Sequence, residues 1–262
     1  MPYSPEMLDR IEALYSDSIA AFNRLYPRFA ELPLRNGRAR EFAQHGFGRR
    51  LSTLRECMVN VFHLLPPEAA ARPRSEQLTN AAINIQAFII NVFGALDNLA
   101  WIWMHERGQV DAQGRRIHPL SVGLGSRCEG LRGTLSNGMQ AKLERLNDWF
   151  DGIGGFRHSL AHRIPLYIPP YGIAEANRAA AAAVEQRMNQ ARIRQDFAGF
   201  RALLREHEAL GHFHPVIQHS FEERAKPVFF HAQMPCDLLT VADLADDMIG
   251  ELGMLPDPRR DN

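Results

Sequence analysis

The chain has 262 residues, enough for a sizeable core, and 45% of them are hydrophobic, as in an ordinary globular protein. Its 30 basic and 30 acidic residues cancel. That balance excludes a chain-wide field pulling in nucleic acid or membrane and leaves any such attraction to local patches.

Three widely spaced cysteines, Cys57, Cys128 and Cys236, contain no Cys-x-x-Cys pair. They fit a reducing compartment rather than a disulfide framework. The segment Met1-Pro2-Tyr3-Ser4-Pro5-Glu6 has neither a basic region nor an apolar stretch. No signal peptide is visible, and a cytoplasmic location without a membrane partner is expected. Only Lys142 and Lys226 among the basic residues are lysine, a bias that the many alanines ascribe to coding composition.

In chain order, Ser4-Pro5-Glu6 reads as an N-cap followed by proline in the first turn. A helix is predicted from there to about residue 24, with Pro27 and Pro33 breaking the pattern. A second helix fits 39–65, with Gly46 and Gly48 as weak points and Pro66-Pro67 as its end. A third runs over 76–107. Asp111-Ala112-Gln113-Gly114 marks a turn of a small hairpin, and 121–138 reads as a glycine- and serine-rich loop. Shorter helices fit 139–150 and 154–163, separated by a turn at Gly152, Gly154 and Gly155. Pro165, Pro169 and Pro170 impose an extended passage. Residues 173–210 read as one long alanine-rich helix, Pro227 to His231 as a short strand, and Thr240 to Leu252 as a final helix capped by Thr240. The expected class is all-α: a single helical bundle over 1–262, with 173–210 as an excursion and at most a small β-hairpin.

The third helix is apolar enough to suggest a membrane span, but Asn84, Gln86, Asn91, Asp97 and Asn98 place it inside a protein instead. At 100° per residue, Asn80, Asn84, Asn91 and Asn98 fall within about 40° of one direction, with Gln77 and His105 close by. This stripe serves either an amide network between helices or a ligand. Asp97 lies about 100° away, beside Ile90, Phe93, Trp101 and Met104. A carboxylate on such a face needs a partner. Arg157 and the two histidines near it are candidates, and so is any unrelated arginine.

The chemistry-bearing segment is Phe156-Arg157-His158-Ser159-Leu160-Ala161-His162-Arg163-Ile164-Pro165. Arginine offers a planar fork of donors suited to phosphate, and histidine exchanges protons near neutral pH. Arg157 and His162 are five residues apart and so diverge by about 140° on a regular helix. They combine only if Arg157 lies at a frayed helix start or a second copy completes the site. His158 and His162, four apart, share a face.

Arg157-His158-Ser159-Leu160-Ala161-His162 resembles the arginine–polar–three residues–histidine signature of the HEPN superfamily (higher eukaryotes and prokaryotes nucleotide-binding). Ala95-Leu96-Asp97-Asn98-Leu99-Ala100-Trp101 on an earlier helix and the Arg163-Ile164-Pro165 extension are similar in context. The resemblance covers about residues 76–170 and the last helix. It implies a HEPN-type bundle that forms a homodimer through its motif helices. It further implies a metal-independent endoribonuclease with RNA as substrate, a toxin or defence role, and an antitoxin-like protein partner. Carried onto this chain, His162 assists attack by the ribose 2′-hydroxyl, Arg157 stabilises charge on the phosphorane, and His158 orients the site. Asp97 and Asn98 support them, and the product is a 2′,3′-cyclic phosphate. One departure is His158, where active relatives commonly carry asparagine or aspartate.

Two other readings compete. The His158-x-x-x-His162 spacing is compatible with a metal, with Asp97 as a further ligand, but no metalloprotease glutamate follows the first histidine. Alternatively the fold is a non-catalytic module that binds RNA, a nucleotide or a protein, with Arg157, His162 and Asp97 as a structural network. Gly123-Leu124-Gly125 lacks the third glycine of a dinucleotide loop, so no cofactor is expected. The later histidines, His212, His214, His219 and His231, read as surface and turn residues. Asp243, Asp246 and Asp247 read as a solvated face.

Overall fold

The computed structural model describes residues 2–69, 71–219 and 227–253. Helix accounts for 72% of it and strand for 5%, which makes the chain all-α.

Helix α1 spans Pro5–Ala30, and its first turn is closed by the Ser4 hydroxyl accepting from the Met7 N–H at 3.3 Å. The helix continues through Pro27, contrary to the expected break. Leu25 and Phe29 on either side are fully buried, and their packing outweighs the hydrogen bond that proline removes.

The second predicted helix is built in three parts. A short α2, Gly37–Glu41, is capped by the Asn36 side chain. A π-helical stretch follows at Phe42–Phe47, and then α3, Gly48–Leu64. The expected weak points Gly46 and Gly48 lie where the wide turns sit. Helix α4, Ser75–Arg107, ends in a left-handed Gly108 with φ of 109°.

The 121–138 segment is not only loop. It includes α5, Glu129–Arg132, and buries Leu124, Leu131 and Leu135. Helix α6 covers Asn137–Arg145 and α7 covers Asn147–His162, so the helix break falls at Leu146. Gly152, Gly154 and Gly155 lie inside α7 rather than in a turn. Phe150 and Ile153 anchor that stretch to the core, and tertiary packing overrides the low helix preference of glycine.

Strand β1, Gly172–Ile173, precedes α8, Arg178–Ile193, and α9, Phe197–Ala209. The expected single helix over 173–210 is therefore a hairpin of two helices. It turns at Arg194-Gln195-Asp196, with Gln195 at φ of 57° and the Asp196 carboxylate capping Gly199 N–H. Strand β2, Gly211–His212, pairs antiparallel with β1 at its base. Strands β3, Val216–Ile217, and β4, Val228–Phe229, form a second small pair.

Helix α10, Phe230–Gly253, begins ten residues before the expected Thr240 cap and runs through Pro235. Thr240 donates to the Cys236 carbonyl instead of capping. The aspartates on α10 are not merely solvated. Asp246 pairs with Arg24 and Arg28 of α1, and Asp243 and Asp247 grip Lys142 of α6.

Helix α4 is the centre of the molecule. It packs on α2, the π segment, α3, α7 and α10, while α1 packs on α3 and α10. Among the described residues it is the one helix long and apolar enough to cross a membrane by length and composition. Here Phe88, Val92, Leu99, Ile102 and Met104 are buried in the common core.

Its amide stripe faces α3. Asn60 donates to Asn84 at 3.1 Å. Arg50 of α3 donates from Nε to Asn98 Oδ1 and from Nη1 to Asn91 Oδ1, each at 3.1 Å. Gly94 makes room for that arginine: a Cβ at position 94 would stand 2.3 Å from Arg50 Cζ. Gly46 of the π segment closes against the Asn98 amide, where a Cβ would meet it at 3.0 Å. Asn84, Asn91 and Asn98 therefore form an interhelical network, one of the two uses expected of the stripe, while Asn80 is exposed.

Gly94→Ala will displace the Arg50 guanidinium and leave the Asn98 amide short of a partner. The expected loss is about 1–3 kcal/mol by chemical denaturation. In an Arg50→Ala background the same substitution should instead stabilise by up to about 1 kcal/mol, through helix preference alone. A loss of the same size in both backgrounds would show that Arg50 is not what Gly94 accommodates.

Two buried titratable groups on α10 act in opposite senses. Asp237 accepts from Trp149 Nε1 at 2.8 Å and from Gln233 at 2.7 Å, yet burial raises its pKa to about 6. His231, between Tyr3 OH and the Leu65 carbonyl, is lowered by burial to about 4. A carboxyl raised in the native state weakens the fold as pH rises through about 4 to 6. A histidine lowered in the native state weakens it as pH falls through about 6.5 to 4. Each displacement corresponds to about 3 kcal/mol. Against wild type, Asp237→Asn should therefore gain stability from pH 4 to 7, and His231→Gln should gain it from pH 7 to 4. Thermal unfolding across that range checks both signs.

Candidate functional site

The residues singled out in the sequence lie on two touching helices, α4 and α7. Arg157 is well inside α7, not at a frayed start. Its guanidinium sits over the Phe93 ring of α4, 4.5 Å from the centroid, a cation–π seat that fixes the exposed side chain without consuming its donors. Arg157 makes no hydrogen bond or ion pair among the described residues.

His158 and His162 are both exposed, one turn apart, with ring centroids separated by 5.2 Å. That ring contact is the one interaction recorded for either imidazole among the described residues. Ser159, between them, is buried and turns the opposite side of α7 inward.

Asp97 lies half-buried on α4, one turn beyond Phe93. Burial holds its carboxyl above the usual carboxylate range, against the opposing pull of Arg157 and then Arg50. No hydrogen bond or ion pair satisfies it among the described residues. It is therefore a carboxyl between two guanidiniums, bonded to neither. Its charge reaches Cys128, whose thiol is raised first by burial, with Asp97 adding to the rise. Asn98, also named as supporting, is 8% exposed and faces α3, where it accepts from Arg50. It acts on the site only through that arginine.

Helix α7 stays regular to His162, so within one chain Arg157 and His162 diverge by about 140°. Of the two arrangements considered from sequence, the frayed start is removed and completion by a second copy remains. Among the described residues no three His, Cys, Asp or Glu side chains gather as a metal site.

Two features were missed from sequence. Arg50 carries the second positive charge beside Asp97; its signal was Gly94, on the same face as Asn91 and Asn98. The other is an aromatic stack one turn further along α4. Trp101 and His105 are stacked at 5.3 Å, Phe42 and Trp101 at 6.0 Å, and Arg38 caps Phe42 at 5.1 Å. All three rings are half-buried.

Of the later histidines, His231 is structural, as its buried hydrogen bonds show. His207, which attracted no attention, bridges Tyr171 OH at 2.9 Å and Glu185 at 3.0 Å beneath the α8–α9 hairpin.

No protein-family model, no curated protein and no solved structure matches this chain. The functional reading therefore rests on the geometry above.

Because the native state raises Asp97, ionising it weakens the fold, and stability falls as pH rises through its native pKa. Asp97→Asn should be more stable than wild type at neutral pH, and the difference should shrink as pH drops below the usual carboxylate range. Equal curves for the two proteins would show that burial does not govern this carboxyl.

Proposed function

We propose that this protein is a HEPN-like ribonuclease that cuts single-stranded RNA without metal, through a site made from the α7 helices of two copies. The observation that carries this reading is the state of Arg157. The side chain is anchored on Phe93 and exposed, and its donor fork is unengaged among the described residues.

Two exposed imidazoles, without hydrogen-bond partners among the described residues, stand on the same helix. An arginine held in place by its ring seat offers a bidentate surface to a phosphodiester. An imidazole can take the ribose 2′-hydroxyl proton as the oxygen attacks the adjacent phosphorus. The 5′-oxygen then leaves with a proton from the facing copy's histidine, giving a 2′,3′-cyclic phosphate and a 5′-hydroxyl. Arg157 meets the charge that gathers on the non-bridging oxygens. Asp97 adds its charge to the field of the two guanidiniums without bonding either among the described residues. The stack of Phe42, Trp101 and His105 lies on the π segment and α4, one turn beyond Asp97, where a base can extend it.

The 140° divergence of Arg157 and His162 favours a second reading should the chain prove monomeric. The fold would then bind RNA, a nucleotide or a protein through Arg157 without cutting.

The test is incubation with mixed single-stranded RNA in EDTA, with oligomeric state followed by light scattering. Wild type should yield cyclic-phosphate ends, and Arg157→Ala and His162→Ala should each slow cleavage ~10²-fold or more. Cleavage that requires added metal, or that survives both substitutions, overturns the mechanism. A strict monomer that binds RNA intact points to the second reading.

A further inference from the structure

The α8–α9 hairpin stands apart from the bundle. Its two helices pack mainly on each other, and its buried residues Ala181, Val184 and Ala191 lie outside the main core cluster. Among the described residues it is fastened only near its base. There β1 pairs with β2, Asn177 donates to the Leu210 carbonyl, His207 links Tyr171 to Glu185, and Arg72 lies 4.1 Å over the Tyr171 ring.

The charge on this arm is uneven. The chain as a whole is neutral; residues 178–209 hold six arginines against Glu185, Asp196, Glu206 and Glu208, and within 187–205 there are five arginines against one aspartate. Arg187, Arg192, Arg194, Arg201 and Arg205 are all exposed, and the single aspartate, Asp196, is occupied in capping α9. Arg187 is paired with Glu206 and Arg192 with Asn189. Arg194, Arg201 and Arg205 have no partner among the described residues.

These placements oppose folding preference. Arg201 and Arg205 are like charges four apart on one helix face, and Arg201 sits near the N-terminal, positive end of α9. At the tip, Phe197 is 68% exposed and Ile193 73% exposed. A stripe of unneutralised arginines beside an exposed aromatic ring is the combination that holds a single nucleic-acid strand, cations to phosphates and ring to base. The arginines extend back from the tip for roughly 10 Å of helix. A flexible strand can follow such a flank, whereas a lipid surface would meet only the tip.

We propose that the distal α8–α9 hairpin is a second RNA-holding site, separate from the Arg157 centre, that grips single-stranded RNA through Arg194, Arg201, Arg205 and Phe197. Holding the strand there raises its local concentration at the α7 site on the same molecule.

The test is anisotropy of a fluorescein-labelled oligouridylate with the full chain in EDTA. It is run in an Arg157→Ala background, with the length of the oligouridylate checked on a gel after each titration, so that cleavage does not enter the binding curve. Arg194→Ala/Arg201→Ala/Arg205→Ala should weaken binding roughly 10-fold or more and lower the salt slope by about 2, as expected for three lost phosphate contacts. The corresponding triple lysine variant should keep the slope. Phe197→Ala should weaken binding about 5-fold or more with the slope unchanged. Unaltered binding in the triple alanine variant overturns the proposal. So does absence of oligouridylate binding by the parent chain, or tighter Phe197-dependent binding to phosphatidylserine vesicles than to RNA. Cleavage by the wild type is scored separately, so the hairpin can fail while the nuclease stands, and the reverse.

Discussion

Arg50 lying across Gly94 is the contact on which the molecule depends. Helix α4 crosses the whole bundle and carries polar amides along one side, which the interior would not tolerate unpaired. The guanidinium satisfies Asn91 and Asn98 together, and it does so because residue 94 has no side chain. The α3–α4 spacing follows from that fit. The opposite surfaces of α4 are then free to bury apolar residues against α10 and to receive α7. The same arginine projects its charge onto Asp97, so the interhelical lock and the electrostatics of the site share one residue.

The site itself is organised by contrast. Arg157 is held by an aromatic face rather than by a carboxylate, and its donors stay open among the described residues. Asp97 lies close enough to feel the two arginines but bonds to neither among the described residues. A direct ion pair there would have neutralised the cation that the proposed chemistry needs. Overall neutrality conceals this arrangement, as it conceals the arginine-rich end of the hairpin. Formal charge summed over a chain says little about charge at any one place on its surface.

Features written in local chemistry were legible. The Ser4 cap, Pro66-Pro67 after α3, the end of α4 at Arg107 and the Asp111 turn each follow from the preferences of a few neighbouring residues. Errors arose where distant contacts decided the outcome. Gly152, Gly154 and Gly155 resemble a turn until Phe150 and Ile153 are seen to hold α7 on the core. Pro27 and Pro235 sit within helices whose neighbours are buried. The bend at Gln195 uses neither glycine nor proline, so the 173–210 segment read as one rod. Asp97 and the trio on α7 could be named because charged and imidazole groups stand out in such surroundings. Arg50 could not, since its role exists only once α3 and α4 meet. The divergence of Arg157 and His162 was calculable from spacing, but regularity of α7 was needed to decide between its two consequences.

The wide turns at Phe42–Phe47 carry a consequence for how this protein tolerates change in length. A π turn holds one residue more than an α turn needs. Deleting a residue there would turn the wide turn into an ordinary α turn and leave the flanking helices in phase, whereas a deletion at Gly48 or Arg49 would swing Arg50 by about 100° out of its slot. The segment is thus a joint that can absorb a one-residue change in chain length, while buried Ala43 and Phe47 and the approach of Gly46 to the Asn98 amide restrict which side chains compose it.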